Sequence, residues 1–523
     1  MQKTIRKILS SLTFKINIIN FLGPDPAIEG VAYDSRAIKK NFLFIALKGL
    51  HVDGHNFIEK AISQGAVAIL YSEPETEKLF TQHSDIAFLK VENTRTVMSD
   101  IAAEFYGNPA EKLVTIGVTG TDGKTSTVYF IDQLLEMSGY KSGFISTAAC
   151  KTSLTIEKNP FRQSTPEGVE INRLLYEMLE AGKTHAVIES TSHGLSDKNR
   201  RLGSIKFDAA VFTNLSHEHL EFHGTFEQYR FDKANLFRRL KSDEKYSGFG
   251  VANIDDKNSD YFIQESAEPV YTCSLKNPTA DFFADKIETR VDGSSFRINI
   301  SPEITGGDGL SFETEISLPG LFNIENALEA FAVVFNLTEQ KGENLAKLIS
   351  ELSAVKGRMK VIDKGQPFTV LVDYAHTPGS FKRLFPDLRK QTKGRLITVF
   401  GSAGERDTEK RPEQGEIAAE SADIIILADE DPRGEDSMTI IKEIAEGALK
   451  ADRKTLSPLK LNENLFMIPD REEAIQKAVS LAQPKDTIIT LGKGHEGNIF
   501  YSDKSIPWDE QSVVEKALAK NGF

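Results

Sequence analysis

The chain has 523 residues, of which 40% are hydrophobic, 27% charged and 9% aromatic, with a formal net charge of −13. Such a length exceeds a single core and suits three domains, while the apolar fraction excludes a disordered chain. The acidic balance supplies no overall field for nucleic acid or an anionic membrane.

The first 21 residues are basic and partly apolar, but Lys15 interrupts the apolar run and no small-residue cleavage site follows. No stretch approaches the roughly twenty apolar residues that span a bilayer. Cys150 and Cys273 stand far apart without metal-ligand spacing, which fits a reducing compartment. The expectation is a cytoplasmic monomer with small-molecule partners, no nucleic acid and no membrane span.

Residues 1–110 alternate short apolar runs with helical pattern and read as a small α/β domain. The turn-rich segment Tyr106-Gly107-Asn108-Pro109-Ala110 separates them from an apolar strand at 113–118. After that strand comes GVTGTDGKTST, residues 117–127, and then Val128, Ile131 and Leu135 at helical spacing. Strand, glycine-rich loop and helix are the context of a phosphate-binding loop. Gly120 and Gly123 let the backbone curl until its amides face phosphate oxygens, and the helix N-terminus adds its dipole. Lys124 supplies a positive charge, and Thr125 can place its hydroxyl on Mg²⁺. The competing reading, a glycine-rich turn with an exposed lysine, leaves the flanking pattern unexplained.

A phosphate loop needs carboxylates for its metal. Glu189 follows the apolar run Ala186-Val187-Ile188, where a second strand of the same sheet would deliver it to the cleft. The segment FTNLSHEH, residues 212–219, brings imidazoles to the end of another apolar run, and neutral imidazole is a competent ligand. Each of these residues alone is more often a locally satisfied side chain.

Helical segments at 323–336 and 345–352 precede a second boundary near Lys356-Gly357-Arg358. Beyond it, buried-type runs at 369–372, 396–400, 424–427 and 487–491 alternate with helices, a parallel, doubly wound pattern. Each run leads into a polar cluster: DYAH at 373–376, GSAGER at 401–406, DEDPR at 429–433 and GKGHE at 492–496. Ligands of open parallel sheets sit at the carboxyl ends of strands, so these clusters are expected to line one cleft.

From residue 33 to residue 496 the chain resembles the Mur ligases, in particular those that add a third amino acid to the peptide. The resemblance is carried by Asp34-Ser35-Arg36, GVTGTDGKTS, STPE (164–167), ESTSH (189–193), TNLS (213–216) with His219, LPGLFN (318–323) with Asn326, Gly357-Arg358-Met359, VDYAHTP (372–378), GERDTEKRP (404–412), DPR (431–433) and GKGHE. It implies an α/β protein of three domains: an N-terminal UDP-sugar module at 1–110, a central ATPase of mostly parallel sheet at 111–355, and a Rossmann-like domain receiving the amino acid at 356–523. It further implies transfer of the γ-phosphate of ATP to the D-glutamyl carboxylate of UDP-MurNAc-L-Ala-D-Glu, then attack on the acyl phosphate by the amine of a diamino acid. The setting is peptidoglycan synthesis.

By the same resemblance Lys124, Lys233 and His219 are catalytic, and Thr125, Glu189, His219 and Lys233, the last as N6-carboxylysine, hold Mg²⁺. Gly120, Thr121, Asp122, Gly123, Lys124, Thr125, Ser126, Asn323, Asn326, Arg358 and Asp373 contact ATP. Ser35, Leu50, His51, Val52, Gln163, Ser164, Thr165, Thr191, Asn199 and Arg201 hold the UDP-muramyl dipeptide. Arg406, Glu430, Asp431, Pro432, Arg433, Gly492 and Glu496 receive the amino acid.

Four positions depart from the family pattern. Asp122 stands where Asn is usual, Lys360 where an acidic residue is common, Thr191 in place of serine, and Glu430-Asp431-Pro432-Arg433 where diaminopimelate-adding enzymes carry Asp-Asn-Pro-Arg. Arg433 favours a substrate with a distal carboxylate, while Asp431 adds negative charge that would favour lysine or ornithine, so the third amino acid stays open. The alternatives are another Mur or folylpolyglutamate-type amide ligase, against which DSR, DPR and GKGHE speak, and a non-catalytic nucleotide-binding protein, which would not need the whole metal set.

Overall fold

The computed structural model describes residues 2–12, 16–49, 52–161, 163–216, 220–242, 247–453 and 456–523. The chain forms two compact units, Met1–Lys124 with Leu135–Tyr271, and Thr125–Leu134 with Thr272–Phe523. Among the described residues no helix is long and apolar enough to cross a membrane.

The first unit opens with a five-stranded sheet in the order Ile18–Leu22, Ala87–Val91, Ala66–Tyr71, Phe42–Ile45, Gly30–Ala32. Its first pair is antiparallel and the others parallel. The helix Thr94–Phe105, capped by the Asn93 side chain, packs an almost wholly buried face on that sheet.

In the same unit the strands Ser142–Ile145, His185–Glu189, Val114–Thr119, Ala209–Phe212 and Phe249–Asn253 lie side by side and parallel. Ala149–Lys151 and Glu157–Lys158 add an antiparallel edge. Every residue of His185–Glu189, Ala209–Phe212 and Phe249–Asn253 is buried, as strands covered on both faces require. Gly117 lies inside this sheet, where a Cβ would stand 2.4 Å from Leu236 Cδ1, so its lack of a side chain serves packing.

In the second unit an antiparallel meander, Phe282–Arg290, Gly293–Ile300 and Leu310–Ile316, is followed by the helices Leu321–Leu337 and Gly342–Ile349. The remaining sheet runs Lys360–Val361, Thr369–Val372, Thr487–Thr490, Leu396–Phe400, Ile424–Leu427, Leu465–Met467 and is parallel after its first pair. Its four inner strands are rich in β-branched residues and almost wholly buried, and two apolar clusters cover its faces. The helix Pro378–Gln391 starts on a capping box between Thr377 and Ser380 with proline in its first turn.

A buried ion pair ties the carboxyl ends of two of these strands. Arg471, at the start of Arg471–Leu481, meets Glu510 of Glu510–Lys520 through Nε at 3.0 Å and Nη2 at 2.6 Å, both side chains fully enclosed. The same guanidinium donates to the carbonyls of Asp429 at 3.2 Å and Leu491 at 2.7 Å, and the Trp508 indole donates to Glu510 at 2.6 Å. Burial would raise the Glu510 pKa, but the charge and hydrogen bonds of Arg471 bring it below the usual value. Arg471→Met is expected to cost on the order of 3–5 kcal/mol by stranding Glu510, and Arg471→Met/Glu510→Leu to recover most of it. Thermal unfolding of both variants checks this, and equal loss in both would refute the coupling.

In the first unit Glu170, on the helix Gly168–Glu180, has a buried Oε2 without a hydrogen-bond partner among the described residues. Burial first, then the negative charges of Glu167 and Asp34, raise its pKa from 4.5 to about 7 against the opposing charge of Arg173. The folded state therefore holds a proton that the unfolded chain releases between those values. This contribution is present at low pH and is lost as pH rises through about 7. Glu170→Gln should melt higher than the unaltered chain at pH 8, by on the order of 1–3 kcal/mol, with little difference at pH 4.5. A variant destabilised equally at both pH values would count against this assignment.

Candidate functional site

The parallel register sets the level of each group around the glycine-rich loop. Glu189 pairs with Val118 on one side of the loop strand, and Phe212 pairs with Thr119 on the other. Glu189, Gly120 and Thr213 therefore all leave the sheet at its carboxyl edge. Gly120 adopts φ 149°, and a Cβ there would lie 1.9 Å from Thr213 Oγ1, so no side chain fits. Gly123 takes φ 86°, and the helix Lys124–Met137 begins at the next residue.

Neighbouring residues hold the loop in shape. Thr213 Oγ1 donates to the Asp122 carbonyl at 2.6 Å, and the Asn214 side chain meets the Asp122 carbonyl at 3.1 Å and its amide at 3.0 Å. The Asp122 carboxylate is half-buried and makes no hydrogen bond or ion pair among the described residues. Thr121 Oγ1 lies 3.2 Å from the Tyr229 hydroxyl and accepts the Ser216 amide at 2.9 Å.

Two ammonium groups converge on this turn. Lys124 Nζ donates to the carbonyls of Gly120 at 3.0 Å and Thr121 at 2.8 Å, and Lys233 Nζ donates to Gly120 at 2.6 Å. Lys233 is buried on the helix Phe226–Arg238, which the Thr225 side chain caps. One helical turn earlier Tyr229 offers its ring face to the same ammonium, 4.7 Å from centroid to Nζ. Thr125 and Ser126 are buried in the first turn of the helix after the loop.

Glu189 is buried, and Thr147 donates to it twice, from its amide at 2.8 Å and its hydroxyl at 2.7 Å. Among the described residues no group of three or more His, Cys, Asp or Glu could hold a metal ion. His219, Leu50 and His51 lie outside the described residues.

The segment expected to meet the muramyl dipeptide is knitted around Thr165. Its hydroxyl donates to the Glu189 carbonyl at 2.7 Å and accepts from the Thr191 amide at 3.0 Å and hydroxyl at 2.9 Å. Arg201 reaches the Thr165 carbonyl at 3.1 Å and Glu167 at 3.0 Å, and Arg95 meets Glu167 at 3.1 Å. Asn199 donates to the His193 carbonyl at 3.1 Å; Gln163 is exposed and Ser164 half-buried. Ser35 is buried in a short 3₁₀ turn capped by Asp34, and Val52 is 58% exposed.

In the second unit Asn326 accepts from Thr127 at 3.2 Å, and its buried amide nitrogen has no partner among the described residues; Asn323 donates to the Pro319 carbonyl at 2.7 Å. Asp373 accepts the backbone amides of Met359 at 2.8 Å and Ala375 at 2.7 Å, fixing the turn in which Met359 takes φ 43°. The Arg358 guanidinium lies over the Tyr374 ring at 4.5 Å.

Three strand ends bring the last cluster together. Gly404 donates its amide to the Asp431 carbonyl at 2.8 Å, and a Cβ on Gly404 would stand 2.0 Å from the Pro432 oxygen, so the loop carrying Arg406 rests on Asp431-Pro432. Glu430 is buried, its Oε2 has no hydrogen-bond partner among the described residues, and burial raises its pKa. A Cβ on Gly492 would approach that oxygen to 2.8 Å. Asp431 and Glu496 share the ammonium of Lys493, at 2.8 and 2.5 Å. The guanidinium groups of Arg433 and Arg406 have no partner among the described residues.

Sequence reasoning passed over Tyr229, Thr147, Glu167, Lys493 and Arg471. Glu167 and Lys493 stand inside motifs already singled out, STPE and GKGHE. Tyr229 opens YRFDKANLF, residues 229–237, the family-like stretch that carries Lys233, while Thr147 and Arg471 lie on elements with no pattern of their own and gain a role only through packing.

The segments 27–106, 118–334 and 357–494 match, in turn, the models described as Mur ligase family, catalytic domain; Mur ligase middle domain; and Mur ligase, glutamate ligase domain. The chain is 43% identical over 497 residues to a protein of Borreliella afzelii called UDP-N-acetylmuramyl-tripeptide synthetase, covering 94% of each. It is 42% identical over 532 residues to one of the same name from Treponema denticola, covering 96% of each. A solved structure of UDP-N-acetylmuramoyl-L-alanyl-D-glutamate–2,6-diaminopimelate ligase aligns over 100% of both chains at a TM-score of 0.66 and 26% identity. With its α/β sheets, its strand, glycine-rich loop and helix, and likeness over nearly its whole length, the chain belongs to the Mur ligase family.

Proposed function

We propose that this chain is an ATP-dependent ligase that adds a diamino acid, the third residue, to the D-glutamyl carboxyl of UDP-MurNAc-L-Ala-D-Glu in cytoplasmic peptidoglycan synthesis. The observation that carries the reading is the convergence of Lys124 and Lys233 on the Gly120 turn, with Glu189 leaving the neighbouring parallel strand at the same level. A binding loop alone has no use for a second lysine, fully buried, beside the half-buried Lys124.

The chemistry asks for positioning and charge neutralisation. A carboxylate oxygen of the dipeptide bonds to the γ-phosphorus of ATP as the β,γ-bridging bond breaks and ADP leaves. The amine of the amino acid then attacks the acyl carbon, phosphate departs with the electron pair, and the amine loses a proton. Lys124 offsets charge on the phosphates, and the amides from Gly120 to Ser126 cradle them. Asn323 and Asn326 meet the adenine, Asp373 the ribose and Arg358 phosphate charge.

Thr125, Glu189, His219 and Lys233, the last carrying a carbamate, are the residues that would hold Mg²⁺. The hydroxyl, carboxylate and carbamate oxygens suit a hard cation. Bound there, the ion would neutralise charge on the transferring phosphoryl group. Carbamylation, in which the deprotonated amine adds CO₂ and releases a proton, would exchange the ammonium of Lys233 for oxygen donors, which gives a buried lysine at the loop a chemical purpose.

Ser35, Leu50, His51 and Val52 belong to the UDP end of the acceptor, and Gln163, Ser164, Thr165, Thr191, Asn199 and Arg201 to its dipeptide. Arg406, Glu430, Asp431, Pro432, Arg433, Gly492 and Glu496 receive the amino acid. Residues 1–110, 111–355 and 356–523 divide these tasks, and the enzyme acts as a monomer.

ADP release should require the UDP-muramyl dipeptide and a diamino acid together, tested with meso-diaminopimelate, lysine and ornithine at fixed Mg²⁺; turnover without the dipeptide would sink the reading. Lys233→Ala should lose nearly all activity and regain part of it with added formate or acetate, whereas a fully active variant would remove Lys233 from the metal site.

A further inference from the structure

Lys493 is a fully buried charge in the amino-acid cluster that carries no role in the proposed reaction. Its side chain is fully enclosed, and its ammonium donates to Asp431 Oδ1 at 2.8 Å and Glu496 Oε2 at 2.5 Å. Asp431 Oδ1 also accepts the Phe500 amide at 3.0 Å. The other oxygen of Glu496 accepts from the Tyr374 hydroxyl at 3.3 Å. An enclosed ammonium is costly unless paired and hydrogen-bonded.

One ammonium against two carboxylates leaves one negative charge over. The Glu496 side chain is 31% exposed and that of Asp431 8%, so the surplus is displayed at Glu496. The charge of Asp431 is cancelled inside the fold.

We infer that Lys493 is a positioning residue for the incoming amino acid: it cancels Asp431 internally and fixes Glu496 as the group that meets the substrate's ammonium. This rests on the reading of the cluster as the amino-acid end of the site. It follows that aspartate at position 431, where diaminopimelate-adding relatives of the family pattern carry asparagine, does not create a receptor for a cationic side chain. Discrimination between amino acids falls to groups whose charge is not already paired, among them Arg433.

The test uses the full-length chain and initial rates of ADP release, with lysine and with meso-diaminopimelate, for the unaltered enzyme, Lys493→Met, Asp431→Asn and the double variant. Lys493→Met is expected to raise the KM for the amino acid about tenfold or more, because two uncompensated carboxylates repel and Glu496 turns away, while the KM values for ATP and the UDP-dipeptide stay within about twofold. Adding Asp431→Asn should recover most of that loss. Asp431→Asn alone should lower kcat/KM for both amino acids alike, shifting their ratio by less than about threefold.

A Lys493→Met enzyme impaired equally toward all three substrates, or a double variant no better than the single one, would reduce Lys493 to a structural role. A tenfold or larger change of preference in Asp431→Asn would show that the substrate reads the Asp431 charge, and would overturn the inference even if Lys493→Met fails to fold. Absence of amino-acid-dependent ADP release from the unaltered chain would instead defeat the functional reading beneath it.

Discussion

The register of three parallel strands governs the arrangement of the glycine-rich loop. Because Glu189 is level with Val118 and Phe212 with Thr119, the loop turns between a carboxylate and a threonine–asparagine pair that holds its backbone. A slip of one residue would send Glu189 to the other face of the sheet. The register is secured by strands buried on both sides, so the geometry of the turn is inherited from apolar packing. Gly117, inside the strand, belongs to that packing, and Gly120, at its end, to the turn.

The charged cluster at the strand ends of the second unit follows a different physical logic. Four strands end in charged residues, several of them enclosed, and the fold stabilises them by internal cations: Arg471 for Glu510 and Lys493 for Asp431 and Glu496. Arg471 uses its fork to hold the carbonyls that precede Glu430 and Gly492, so a structural ion pair also sets the spacing of two site loops. Such pairs add little net stability over apolar residues of the same shape, but removing one partner is severe. Their retention at this edge fits a need for fixed geometry.

Much of this was legible in the chain. Apolar runs ending in polar clusters located the buried strands, and the strand–glycine loop–helix pattern located the loop, because burial and backbone freedom leave local marks on composition. Lys124, Glu189 and the 429–433 and 492–496 clusters were readable for the same reason. Lys233 was readable only through a resembling motif, since a lysine in a helix has no local sign of being enclosed. The counter-ion of Asp431 was not legible, because Lys493 sits 62 residues away in sequence.

By itself the sequence determined the fold class, the position of the glycine-rich loop between strand and helix and the polar clusters at the strand ends, since hydrophobic periodicity and glycine placement are encoded locally. Only the tertiary structure decided which charges are already cancelled and which remain for a ligand. That depends on distances between residues far apart in the chain and on the low dielectric of the interior, where a single buried ammonium reverses the meaning of a neighbouring carboxylate.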